Sequence, residues 1–104
     1  MTEESIHDTY LAKLLGPEKA AVLLKKYFLD LSQKTDLLVK YFQERNMTEI
    51  RKIAHQLKGS GKSYGFEYIT EIGTALSSCA KTEDYSGLGD LIQDFDVYVK
   101  NRPR

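Results

Sequence analysis

The residues of this chain best suited to chemistry lie in one stretch, Ala54-His55-Gln56-Leu57-Lys58-Gly59-Ser60-Gly61-Lys62-Ser63-Tyr64-Gly65-Phe66. At about 100° per residue, the apolar face of a helix through it centres on Ala54, Leu57 and Gly61. His55 falls well away from that centre, toward solvent. Arg51, Lys58 and Lys62 stand four residues before, three after and seven after the histidine, so all three share its stripe. The helix thus presents an imidazole in the middle of a basic row. Neutral imidazole is a nucleophile near neutral pH, able to attack phosphorus and form a P–N bond labile enough to pass the group on. A phosphoryl group adds nearly two negative charges. A lysine about 4 Å away offsets each by roughly 1–4 kcal/mol, depending on local screening. Lys58 and Lys62 are the candidates for that role.

A lone surface histidine ordinarily carries no function, and two features set this one apart. Three cations line its stripe with no acid among them. Gly59 lies one turn beyond it, inside a helix where glycine costs about 1 kcal/mol relative to alanine. Gly61 faces inward and is accounted for by close helix packing. Gly59 lies outside the apolar face, where a missing side chain makes room for another molecule to approach the ring.

Other candidates carry less. His7 stands next to Asp8, but adjacent helical residues point in different directions, so a surface role is expected. Two histidines and one cysteine, with no second ligand at helical spacing, give no basis for a zinc site. Cys79 reads as a small hydrophobe on the inner flank of its helix. Gly59-Ser60-Gly61-Lys62-Ser63 resembles a phosphate loop, yet lacks the preceding strand and the glycine spacing such a loop needs. Tyr27 and Tyr64 lie on core stripes with their hydroxyls at the rim. The acidic residues form no paired catalytic constellation.

The elements that must position His55 are helices almost throughout. Only two prolines occur, β-branched residues do not alternate, and no Asn-Gly or Asp-Gly hairpin signal is present. A first short helix is predicted from about Ser5 to Leu15, burying Ile6, Tyr10, Leu11 and Leu14. Gly16-Pro17 stops it and starts the next, since proline suits a first helical turn. From Pro17 to about Arg45, Ala20, Leu24, Tyr27, Leu31, Leu38 and Phe42 form one apolar stripe on a helix roughly 40 Å long. Asn46 followed by Glu49 resembles a capping box and opens a third helix, about Met47 to Tyr64. Its inward residues are Ile50, Ile53, Ala54, Leu57, Gly61 and Tyr64, and Gly65 ends it in the left-handed conformation. A fourth, about Phe66 to Lys81, buries Phe66, Ile69, Ile72, Gly73, Leu76 and Ala80. Asp84 caps a fifth, whose inner face is Leu88, Leu91, Ile92, Phe95, Tyr98 and Val99. Connections this short favour antiparallel neighbours. The expected fold is all-α: an antiparallel four-helix bundle with an additional short N-terminal helix, in one domain spanning 1–104.

Composition sets the outer limits. A chain of 104 residues makes about one domain, too small for a separate cofactor domain. With 41% hydrophobic and 29% charged residues it has the balance of a soluble globular protein. Fifteen basic residues match fifteen acidic ones, so the field that drives nonspecific nucleic-acid or anionic-lipid binding is missing. The single cysteine, Cys79, allows no internal disulfide, in keeping with a reducing compartment. No signal-peptide pattern follows Met1, and no run reaches the roughly 20 apolar residues of a membrane span. Met1 and the short tails favour a free-standing protein.

The run His55-Gln56-Leu57-Lys58-Gly59-Ser60, followed by Gly65-Phe66, resembles the signature of histidine phosphotransfer domains of two-component phosphorelays. The layout is similar from Ile6 to Val99: a long helix, the histidine on the next, then a glycine-opened helix reaching Leu76 and Ala80. The resemblance implies that His55 is phosphorylated through its outer ring nitrogen. Lys58 then neutralises the phosphoryl group, and Gly59 lets a receiver domain bring its aspartate close. One departure stands out. Where many members carry Glu or Gln on the following helix, hydrogen-bonded near the histidine, this chain has Ser77.

The function so implied is that of a phosphorelay intermediate, a covalent carrier and not a complete enzyme. His55 accepts a phosphoryl group from one receiver aspartate and donates it to another. Its expected partners are a response-regulator receiver domain and an upstream hybrid histidine kinase, with no nucleic acid and no membrane. The chain is expected to be a cytoplasmic monomer that binds no cofactor, the Mg²⁺ residing on the receiver. A different class remains open: a helical adaptor that binds a signalling partner through the same face without being phosphorylated, an idea Ser77 keeps alive. A histidine-dependent hydrolase would need an orienting acid and an oxyanion site that the sequence does not supply.

Overall fold

Among the described residues five α-helices follow one another: α1 Tyr10–Leu15, α2 Pro17–Gln43, α3 Met47–Tyr64, α4 Glu67–Lys81 and α5 Tyr85–Lys100. The computed structural model describes residues 10–101. The expectations for Ile6, His7 and Asp8, for the first turns of the N-terminal helix and for the side chain of Tyr10 lie outside the described residues. α2 packs on α3, α3 on α4, α4 on α5, and α5 returns to α2, so four helices close a ring around one core. α1 packs on α2. The fold is thus all-α and bundle-like. α2, with 27 residues, matches the 41 Å long axis of the molecule.

Local chemistry accounts for the ends of the helices. Gly16 has a φ of 91°, a conformation glycine adopts without penalty, and Pro17 opens α2 directly after it. The Asn46 side chain accepts a hydrogen bond from the Glu49 amide at 3.2 Å, and Asp84 accepts one from the Gly87 amide at 3.0 Å. Only half of the expected capping box forms. The Glu49 carboxylate meets Lys52 Nζ at 3.1 Å, and the Asn46 amide instead donates to the Tyr41 carbonyl at 2.8 Å. That last bond belongs to a stop motif used three times among the described residues. Asn46, Phe66 and Asp84 each donate back to the carbonyl five residues earlier, while the residue before each has positive φ: Arg45, Gly65 and Glu83.

The core follows the helical period. Ala20, Leu24, Tyr27, Leu31 and Leu38 of α2 are buried, as are Ile50, Ile53, Ala54, Leu57 and Gly61 of α3. All six residues expected inside from α4 are buried as well. Phe42, Tyr64, Leu91 and Tyr98 sit half-buried at the rim, packed against the core. Leu14 departs from expectation: it is 61% exposed, and Ala12 takes its place beside Leu11. A short helix lying on the surface of a longer one buries a narrow strip, and the register on α2 selects Leu11 and Ala12. Phe28 and Thr35 are buried without having been expected there. The Thr35 hydroxyl donates to the Ser32 carbonyl at 2.7 Å, which satisfies it inside the core.

Two sets of contacts fix α3, the helix that carries His55. On the α2 side, Tyr27 stacks on Tyr64 with ring centroids 4.0 Å apart, and its hydroxyl is 2.8 Å from Ser60 Oγ. Phe28 meets Phe66 edge to face at 5.4 Å. On the α4 side, glycines let the two backbones touch. A Cβ at Gly61 would lie 2.6 Å from the Thr70 amide nitrogen, and one at Gly73 would lie 2.7 Å from the Ala54 carbonyl oxygen. No helix among the described residues is long and apolar enough to cross a membrane.

Candidate functional site

His55 projects from the exposed side of α3, at a level where Gly73 lets α4 approach closely. The turn beneath it is rigid for a sequence reason: Ala54 and Leu57 are fully buried, and the backbone between Ala54 and Lys58 rests on α4. One turn along α4 from Gly73 stands Ser77. His55 and Ser77 together line an open depression of about 550 Å³, whose other walls are Thr48, Arg51, Lys52 and Gln56. Among the described residues no side chain is hydrogen-bonded to the imidazole.

The basic row divides in two. Arg51 shares the depression with His55. Lys58 and Lys62 line a second depression of about 380 Å³, together with Gly61, Gly65, Glu67 and Thr70 at the start of α4. All three cations are exposed and none is ion-paired among the described residues. Lys52, which sequence reasoning passed over, joins the histidine on its N-terminal side and is paired with Glu49. Thr48 and Lys52 stand seven and three residues before His55, so helical spacing alone could have found them. Gln56 had no such signal.

Gly59 lies exposed on the far side of His55 from α4, and a Cβ placed there would meet nothing within 4 Å. It differs in this from Gly61 and Gly73, whose missing side chains the packing requires. Cys79 is half-buried, with its Sγ 3.9 Å from Asp84 Oδ2. Burial pushes its thiol above the ordinary range, and the neighbouring Asp84 carboxylate adds to the shift by its charge and by accepting the thiol hydrogen. A thiol held protonated in this way is a poor nucleophile. No group of three or more His, Cys, Asp or Glu side chains that could hold a metal occurs among the described residues.

What the arrangement offers is therefore an accessible imidazole on a fixed helix, flanked by cations and hydroxyls, with open space on one side. Set against known proteins, the chain matches no family model, no curated protein and no solved structure.

Proposed function

We propose that this chain is a histidine phosphotransfer domain, a carrier that receives a phosphoryl group on His55 and hands it on. The observation that carries the reading is the pairing of an exposed imidazole with Gly59, whose missing side chain no packing among the described residues demands. A partner that must bring an acyl phosphate in line with a ring nitrogen needs such clearance.

In the transfer, the unprotonated ring nitrogen attacks the phosphorus of a receiver's aspartyl phosphate. The N–P bond forms, the P–O bond to the aspartate breaks, and the free carboxylate leaves with the electron pair. The other ring nitrogen keeps its proton, so the phosphorylated ring is cationic beside its dianionic substituent. The reverse sequence delivers the group to the next receiver. Nothing in these steps asks the chain for a nucleotide site, and Mg²⁺ belongs to the receiver's aspartate pocket. On this reading the protein is a cytoplasmic monomer working between a hybrid histidine kinase and a response regulator.

The adaptor reading draws on one observation: Ser77 lines the same depression as His55 without a hydrogen bond to it, and among the described residues no second side chain is bonded to the ring. Incubation with a phosphorylated receiver domain separates the two. Label that is stable in base and labile in acid, lost in His55→Gln and kept in His7→Gln, is the expected result. An unlabelled protein that still binds the receiver would make it an adaptor.

A further inference from the structure

We infer that the depression between α3 and α4 is an oxyanion seat built on Arg51, which holds the phosphoryl group of His55 from its N-terminal side, away from Lys58. The inference about the phosphorylated form rests on the carrier reading. The seat itself, as a site for a free tetrahedral oxyanion, does not.

Three observations converge. Cα–Cβ bonds in a helix tilt toward its N-terminus, so the His55 ring leans over the turn that holds Arg51 and Lys52. Those two cations line the same depression as the ring, with the Thr48 and Ser77 hydroxyls and the Gln56 amide as neutral donors. Lys58, the cation that the sequence pattern singles out, lines the neighbouring depression with Glu67 and Thr70. Within the His55 depression the two cations are not equal. Lys52 Nζ already meets Glu49 at 3.1 Å, whereas Arg51 has no carboxylate partner among the described residues. Arg51 also brings a planar fork of donors that suits two oxygens of one phosphoryl group, a geometry an ammonium cannot match.

Ser77 completes the seat from the opposite wall. A glutamate there would set a negative charge against the incoming oxyanion, whereas a hydroxyl can donate to it. The depression is wide and open, more than ten times the roughly 30 Å³ of a water molecule, so it works by charge and not by enclosure. Weak, salt-sensitive binding follows.

The first test uses inorganic phosphate and the unphosphorylated protein. Orthophosphate titrated at low ionic strength should shift the His55 ring resonances along a saturating curve. Arg51→Gln should weaken that binding about three- to five-fold, the upper part of the range expected for one exposed charge pair. Lys52→Gln and Lys58→Gln should each weaken it less than Arg51→Gln does. A shift that never saturates, or a larger loss in Lys58→Gln than in Arg51→Gln, overturns the seat. All three side chains are exposed, and circular dichroism checks that each variant folds.

The second test uses phosphoramidate, whose phosphorus the His55 ring nitrogen attacks while ammonia leaves. A cation beside the phosphoryl group favours its dianion, so the ³¹P titration of that group should move to higher pH in Arg51→Gln, and by less in Lys58→Gln. If no label forms on His55 yet orthophosphate still binds through Arg51, the carrier reading falls and the seat stands. If label forms but Arg51→Gln changes neither readout, the seat falls and the carrier stands.

Discussion

Gly73 of α4 rests directly on the peptide of Ala54 in α3: a Cβ there would lie 2.7 Å from the Ala54 carbonyl oxygen and 2.7 Å from the Lys58 amide nitrogen. These two atoms bracket the turn from which His55 projects. A glycine that lets the two helices approach thus stands one turn from Ser77, which lines the same depression as the imidazole.

Gly73→Ala tests this contact. Alanine gains about 1 kcal/mol of helix propensity, but the atoms it meets are backbone and cannot yield, and overpacking of that kind costs about 1–3 kcal/mol. The net expectation is a loss of up to about 2 kcal/mol by urea denaturation. Gly61→Ala should behave alike, since its Cβ would press on the Thr70 amide nitrogen at 2.6 Å. Wild-type stability in both variants would show that α3 and α4 separate at little cost.

Gly59 should respond in the opposite sense. With nothing within 4 Å of the new methyl group, Gly59→Ala should stabilise the protein by up to about 1 kcal/mol. A long side chain there would occupy the space a partner needs. Gly59→Gln should keep the fold and slow transfer from a phosphorylated receiver. Unchanged transfer kinetics in the folded variant would remove the steric argument.

Two helix stops place non-glycine residues in the left-handed region, Arg45 at a φ of 55° and Glu83 at 56°. That conformation costs an L residue about 1–2 kcal/mol, against glycine's entropic cost of about 0.5–1 kcal/mol. Glu83→Gly should therefore stabilise by about 0.5–1 kcal/mol. Arg45→Gly should gain nothing, because the Arg45 guanidinium lies 4.2 Å from the centre of the Tyr85 ring and its loss costs a similar amount. Thermal melts of the two variants side by side decide the matter.

The Cys79 thiol should alkylate slowly with iodoacetamide at mildly alkaline pH, since burial and Asp84 both hold it protonated. Asp84→Asn keeps an N-cap for α5 while removing the charge, so alkylation should quicken without loss of stability. Equal rates in the two proteins would assign the shift to burial alone.

What the sequence determined by itself is what neighbours in the chain decide. Pro17, Asn46, Gly65 and Asp84 bound their helices as their chemistry dictates, because a cap acts on amides two or three residues away. The buried stripes of α3 and α4 were legible for the same reason, the helical period being local. So was the exposure of His55. Tertiary structure decided the rest. Leu14 is exposed because only the register of α1 on α2 selects its buried strip. The capping box is half made because the Asn46 amide is already bonded to the Tyr41 carbonyl of the preceding helix end. The division of the basic row is likewise beyond any helical wheel. Arg51, Lys58 and Lys62 share one stripe of α3, yet α4 approaches that stripe at a level set by Gly61 and Gly73, leaving Arg51 with His55 and both lysines with Glu67. Spacing along one helix fixes which residues share a face, and only the packing of a second helix fixes which of them share a hollow.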